Sequence, residues 1–210
     1  MSVSFLQRKR RGILVAVALA LGLAGLFVLH LSAAQDLDEL TRITTASDSS
    51  RGSGNGYLSA GGRWIAFYSD SDFLSQGIPY GQYEIWLYDA TAGRLTRVTT
   101  ATDGDRTSRL PVLSGNGRYV AFDSDSDLLN QGIPEGQFEI WLYDTTAMTL
   151  TRVTTATSSD RDSSEPALSA DGRYVAFRSD SDFLGHGVPA GKEQIWLYDT
   201  VAMTYTRVTR

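Results

Sequence analysis

Leu58-Ser59-Ala60-Gly61-Gly62-Arg63-Trp64-Ile65-Ala66-Phe67 returns as Leu113 to Phe122 and again as Leu168 to Phe177, a step of 55 residues taken twice without a gap. The same step links Trp86, Trp141 and Trp196 inside Ile-Trp-Leu-Tyr-Asp. It also links Arg42, Arg97, Arg152 and Arg207 inside Thr-Arg-Ile/Val-Thr. A fixed period of this size marks a repeat architecture in which each unit buries its faces against its neighbours. The units read as residues 46–100, 101–155 and 156–210, preceded by one spare copy of the unit's last segment at 40–45.

Each unit carries four short β-type runs bounded by Gly, Pro, Asp and Ser. In the third unit these are Pro166 to Ser169, Tyr174 to Phe177, Ile195 to Tyr198 and Tyr205 to Thr209. Ala170-Asp171-Gly172 is a tight turn between the first two, with Gly supplying a positive φ. The inner runs are apolar at consecutive positions, which suits strands covered on both faces. The fourth run is mixed and reads as an outer, partly solvated edge. Helical periodicity is absent from the repeats. The expected fold is therefore all-β: a partial β-propeller of three four-stranded antiparallel blades plus one extra outer strand at 40–45.

Leu168 to Phe177, Ile195 to Asp199 and Thr206 to Thr209 together resemble the WD-like repeat of the TolB-type propeller family, and the resemblance spans Leu40 to Arg210. It implies propeller blades. Members of that family include periplasmic scaffold proteins, peptidase propellers and uncharacterised exported proteins, so the resemblance is specific for the blade and nearly silent about activity. TolB itself has a further N-terminal domain and more blades, and no hydrolase domain follows the repeats here, so neither its partners nor peptidase activity carries over.

Ahead of the repeats, Arg8, Lys9, Arg10 and Arg11 precede an apolar run from Gly12 to Leu31, followed by Ser32-Ala33-Ala34. Basic, apolar and small residues in that order form an export signal. Twenty apolar residues also suffice to span a bilayer, so two readings stand for residues 1–34: a signal peptide cut after Ala34, or a membrane tether through residues 12–31 preceding the repeats as an apolar helix. Either places the body outside the cytoplasm, in the periplasm, at the cell surface or secreted.

The chain has 210 residues, 42% of them hydrophobic and 20% charged, which supports a folded core. Its net charge is −5, and the repeats are more acidic still, because residues 1–34 hold four basic side chains and no acidic ones. An acidic surface without a basic stripe repels phosphate backbones, which argues against nucleic acid as a partner. The absence of Cys removes disulfides, thiolate metal sites and Cys nucleophiles, and two His leave little room for His-based catalysis.

In a four-stranded meander the short turns gather at one end, while the second-to-third loops and the inter-blade links gather at the other. Those links and loops are long and rich in Asp, Ser, Gly and Pro, as at 156–165 and 178–194, so this end is the candidate working face. Three features recur there. Asp70/Asp72, Asp125/Asp127 and Asp180/Asp182 sit in Ser-Asp-Ser-Asp segments. Alternate carboxylates suit an oxygen-seeking cation such as Ca²⁺, or they cap turns through backbone amides. No EF-hand loop accompanies them, and capping is the preferred reading. Arg51, Arg106 and Arg161 recur in the links. They form either a ring of guanidinium groups for a carboxylate or phosphate ligand, or pairs with loop Asp residues that order the links. Gly77-Ile78-Pro79 and its two repeats are expected to tuck the loop onto the blade. Trp86, Trp141, Trp196, Tyr88, Tyr143 and Tyr198 read as inter-blade packing, and Asp89, Asp144, Asp171 and Asp199 as turn residues. His186, which replaces Gln76 and Gln131, is expected to be a solvated loop residue.

Propellers have four to eight blades, so three blades leave end faces that call for self-association, a protein partner, or the further blades of a longer array of which this sequence is a fragment. Every prominent polar group occurs in triplicate, whereas catalysis needs one asymmetric constellation. The expected function is a non-enzymatic scaffold for protein interaction or ligand binding, with no cofactor beyond a candidate Ca²⁺. A Ca²⁺- or small-ligand module on the long-loop face is the second reading, and a glycan- or peptide-directed hydrolase the third.

Overall fold

The computed structural model describes residues 42–45, 49–101, 106–156, 158 and 160–209, and the export segment expected at residues 1–34 lies outside them. Three sheets of four strands follow one another in the unit Ile43–Arg210. The first holds β1 (Ser53–Leu58), β2 (Trp64–Ser69), β3 (Glu84–Asp89) and β4 (Arg94–Arg97). The second holds β5 (Ser108–Leu113), β6 (Tyr119–Ser124), β7 (Glu139–Asp144) and β8 (Thr149–Arg152). The third holds β9 (Ser163–Leu168), β10 (Tyr174–Ser179), β11 (Gln194–Asp199) and β12 (Thr204–Arg207). Every sheet is an antiparallel meander in sequence order, and no helix occurs among the described residues. The fold is that of β-propeller blades.

Consecutive apolar residues in the inner strands serve two junctions at once. At the first junction Ala66, Ile85 and Leu87 of the first blade meet Val120, Phe122, Ile133 and Trp141 of the second. At the second, Ala121, Ile140 and Leu142 meet Val175, Phe177, Val188 and Trp196. Each blade thus has a trailing face of small and aliphatic residues and a leading face built around a buried Trp. A wedge from the residue after the outer strand, Val98 or Val153, closes each junction. Ile78, Ile133 and Val188, the apolar residues beside the loop prolines, are buried in these clusters, which tucks the long loop onto its own blade.

At the short-turn end the blades also touch through backbone. The Ala60 amide donates to Gly115 O at 2.9 Å and the Asn116 amide to Ala170 O at 3.2 Å. Gly117 has φ +72, and a Cβ there would lie 2.3 Å from the Trp64 ring, so the turn needs glycine for both conformation and space.

Within its described residues the spare segment shows no part of the extra outer strand expected at 40–45. Residues 42–45 carry no strand, and Leu40 and Thr41 lie outside the described residues. An outer strand needs the third strand of its own blade beside it, and none of the described strands offers that edge. Ile43 instead packs against Phe67, Ile78 and Trp86 on the leading face of the first blade. It is the counterpart of Val98 and Val153, filling the seat without the strand.

Candidate functional site

The long-loop end is built by the link before each inner strand and the loop between the second and third strands. Asp70 joins the two. Its Oδ1 accepts the Gly52 amide at 2.8 Å and its Oδ2 the Gly81 amide at 3.2 Å. Asp125 does the same with Thr107 at 2.7 Å and Gly136 at 3.2 Å, and Asp180 with Asp162 at 3.0 Å and Gly191 at 2.6 Å. All three carboxylates are buried.

The partner Asp in each pair works inside the loop. Asp72 accepts the amides of Gln76 and Gly77 at 2.7 Å each, Asp127 those of Gln131 and Gly132, and Asp182 those of His186 and Gly187. Desolvation is the largest single influence and pushes the three carboxyls up, but the loop amides together outweigh it and hold them below the usual range. Each pair is therefore a staple and a cap, its oxygens occupied by backbone N–H groups. Among the described residues no group of three or more His, Asp or Glu is arranged to hold a metal ion.

The three arginines join the same staples. Arg51 Nη1 donates to the carbonyls of Asp70 and Ile78, the latter at 2.9 Å. Arg106 donates to Asp125 O at 2.5 Å and Ile133 O at 3.0 Å, and Arg161 to Asp180 O and to Val188 O at 3.1 Å. Each guanidinium locks a link onto a loop through main-chain oxygens. Residue spacing specifies such partners poorly, because a carbonyl is available at every position.

Asp89, Asp144 and Asp199 sit at the opposite end, where each caps the third-to-fourth turn and pairs with Arg63, Arg118 or Arg173 at 2.8 to 2.9 Å. The arginine and turn amides bring Asp89 and Asp199 to about 2. Trp86, Trp141 and Trp196 are fully buried. The indoles of Trp86 and Trp196 donate to Ser69 O and Ser179 O at 3.3 Å.

Two polar centres were not singled out from the sequence. Glu84 is fully buried and accepts hydrogen bonds from Gln82 Nε2 at 2.8 Å, Arg97 Nη2 at 2.7 Å, the Ala101 amide at 2.9 Å and the Thr99 hydroxyl. Glu139 repeats this with Gln137, Arg152, Ala156 and Thr154. The signal was the Glu, Glu, Gln series before each Ile-Trp-Leu-Tyr-Asp. The second centre is Asp123, buried beside Arg109, with Nε to Oδ1 at 3.0 Å, and accepting the Glu165 amide at 3.3 Å from the next blade. Desolvation pushes its carboxyl up to about 6 in spite of both partners.

No protein-family model and no curated protein matches the sequence. Solved structures do. TolB from Acinetobacter baumannii aligns with a TM-score of 0.50 at 20% identity, over 74% of this chain and 32% of that one. Oligogalacturonate lyase from Vibrio parahaemolyticus gives 0.50 at 13% identity, over 77% and 42%. A prolyl endopeptidase structure gives 0.51 at 13% identity, over 79% and 23%. The likeness is one of fold: this chain carries TolB-like β-propeller blades, and it spans less than half the length of each of these three proteins. The blade serves a protein named TolB, a lyase and a peptidase alike, so the fold alone assigns no chemistry.

Proposed function

We propose that the chain is a non-enzymatic, extracytoplasmic β-propeller scaffold whose third blade offers its trailing face to a partner, and that this partner is a second copy of the chain. One observation carries the reading: Ile85 and Ile140 are 0% exposed at the two internal junctions, whereas the equivalent Ile195 is 40% exposed. Val208, in the wedge position of Val98 and Val153, is 59% exposed. Among the described residues nothing covers this face. The leading faces of the second and third blades are taken up at the internal junctions and Ile43 sits on that of the first, so the apolar face a second copy has to offer is the same trailing face, a self-complementary contact. The basic, apolar and small residues of 8–34 support a location outside the cytoplasm. The threefold Asp and Arg groups hold loops, which supports a scaffold over a catalyst.

Sedimentation velocity of the full chain, kept in detergent to accommodate residues 12–31, tests the reading. Association that Ile195→Asp abolishes, with the variant still folded, is the expected result. An unmodified chain that remains monomeric at all concentrations overturns it.

A further inference from the structure

Among the positions at which all three units differ, four gather in one place. Position by position they are Gly54, Arg109 and Ser164; Asn55, Leu110 and Glu165; Tyr68, Asp123 and Arg178; Tyr83, Phe138 and Glu193. The first and third sets are cross-strand partners in register: Gly54 with Tyr68, Arg109 with Asp123, and Ser164 with Arg178. The substitutions are matched within each blade. Tyr68 meets Tyr83 edge to face at 5.4 Å, and a Cβ on Gly54 would lie 2.6 Å from the Tyr68 hydroxyl. Arg109 pairs with Asp123 and lies 3.9 Å above the Phe138 ring, while Arg178 pairs with Glu165 and Glu193 at 3.2 Å each.

The backbone is also unusual here. Each inner strand breaks register beside these positions, and the residue in the break has a positive φ: Asn55 at 45°, Leu110 at 49° and Glu165 at 55°. Asparagine tolerates that region, but leucine and glutamate do so at a cost of about 1 kcal/mol or more. A bulge of this kind re-aims side chains.

A cavity of about 550 Å³ opens at the boundary of the first two blades, lined by Tyr68, Gly81, Tyr83, Thr107, Arg109 and Leu110. Its size is that of a site for a small organic molecule. Arg109 is the one charged residue in the lining. Asp123 engages it through Nε, and its Nη groups make no hydrogen bond among the described residues. By contrast, Arg118 is stacked on Tyr119 in similar fashion, but Asp144 holds it through both Nε and Nη2, at 3.1 and 2.9 Å. Arg109 is thus oriented by Asp123 and Phe138 with part of its fork available, which is the arrangement that captures a carboxylate at little ordering cost. The Tyr68 and Tyr83 rings and Leu110 supply an apolar wall. The Tyr83 phenol, protonated at neutral pH with burial raising it further above its ordinary value, is a hydrogen-bond donor there.

We propose that the cavity between the first two blades binds a small organic carboxylate bearing a flat apolar ring, with Arg109 holding the carboxylate and Tyr68 and Tyr83 flanking the ring. The site lies apart from the trailing face of the third blade and stands independently of self-association.

Titration of the isotope-labelled full chain with N-acetylphenylalanine and, separately, with its uncharged amide tests this. The acid is expected to shift the backbone amides of Gly81 and Leu110 with a roughly millimolar or tighter Kd. The amide is expected to bind about tenfold more weakly, the worth of one charge-assisted hydrogen bond. Arg109→Gln should remove the preference for the acid, while Arg118→Gln should leave it unchanged. Equal binding of acid and amide overturns the proposal, as does an acid preference that survives Arg109→Gln, or an acid that moves neither amide. The acid-to-amide comparison needs no variant, so it decides even where Arg109→Gln disturbs folding.

Discussion

Asp123 faces Arg109 on its own sheet and both the backbone amide and the carboxylate of Glu165 on the next. Its folded pKa of about 6 stands above the ordinary 3.8, so the folded chain holds a proton that the unfolded chain releases. The stability this contributes is complete below about pH 4 and is lost as pH rises through about 6. A two-unit rise is worth at most roughly 3 kcal/mol. Asp123→Asn should abolish this step, so the difference in urea midpoint between the two proteins should change between about pH 4 and 6 and flatten above that window. Asp89 and Asp199, held at about 2, have the opposite sign: they lose stability as pH falls through that value, equally in both proteins. Backbone strain gives a second residue-scale prediction. Met148 and Met203 adopt φ of 56° and 54° with side chains 74% exposed, where the first blade has Gly93 at 63°. Met148→Gly removes an unfavourable left-handed residue without emptying a core, and should raise stability by roughly 1 kcal/mol in chemical denaturation.

At the scale of the element, strands and turns were legible because their causes are local: apolar runs, Gly at positive-φ turns and Asp caps all act within a few residues. The third-unit runs expected at 174–177 and 195–198 became Tyr174–Ser179 and Gln194–Asp199, lengthened by residues that ladder pairing recruits. Long-range causes were not legible. The seat of Ile43 depends on a face formed by Phe67, Ile78 and Trp86, and Asp123 on an amide 42 residues away. The burial of Glu84 depends on the outer strand returning Arg97 and Thr99 to it. That network should be costly to break. Glu139→Ala leaves the Arg152 guanidinium, the Thr154 hydroxyl and the Ala156 amide without their acceptor, for a loss of roughly 3–5 kcal/mol. Glu139→Gln keeps one carbonyl oxygen, the arrangement seen where Gln194 accepts the Thr209 hydroxyl at 3.0 Å, and should lose clearly less. Equal losses would mean that side-chain volume, and not hydrogen bonding, holds the site.

At the scale of the whole repeat array, the two end faces are unequal. On the leading face of the first blade Trp86 and Phe67 are covered, at 0% and 5% exposure under Ile43, and Leu58 of the inner strand is exposed, while the trailing face of the third is bare at both Ile195 and Val208. Internal junctions join a trailing face to a leading face, and a contact of that kind repeated between chains propagates into rings or open polymers. Ile43 stands in the seat that an incoming Val208 would take, so it blocks propagation and leaves two trailing faces to meet each other, which stops at a dimer. Sedimentation velocity should accordingly show a dimer for the unmodified chain and a monomer for Ile195→Asp. Ile43→Gly, which vacates the seat, should add species heavier than the dimer. If Ile43→Gly remains strictly dimeric, the wedge does not limit assembly, and the inequality of the two faces bears on folding alone.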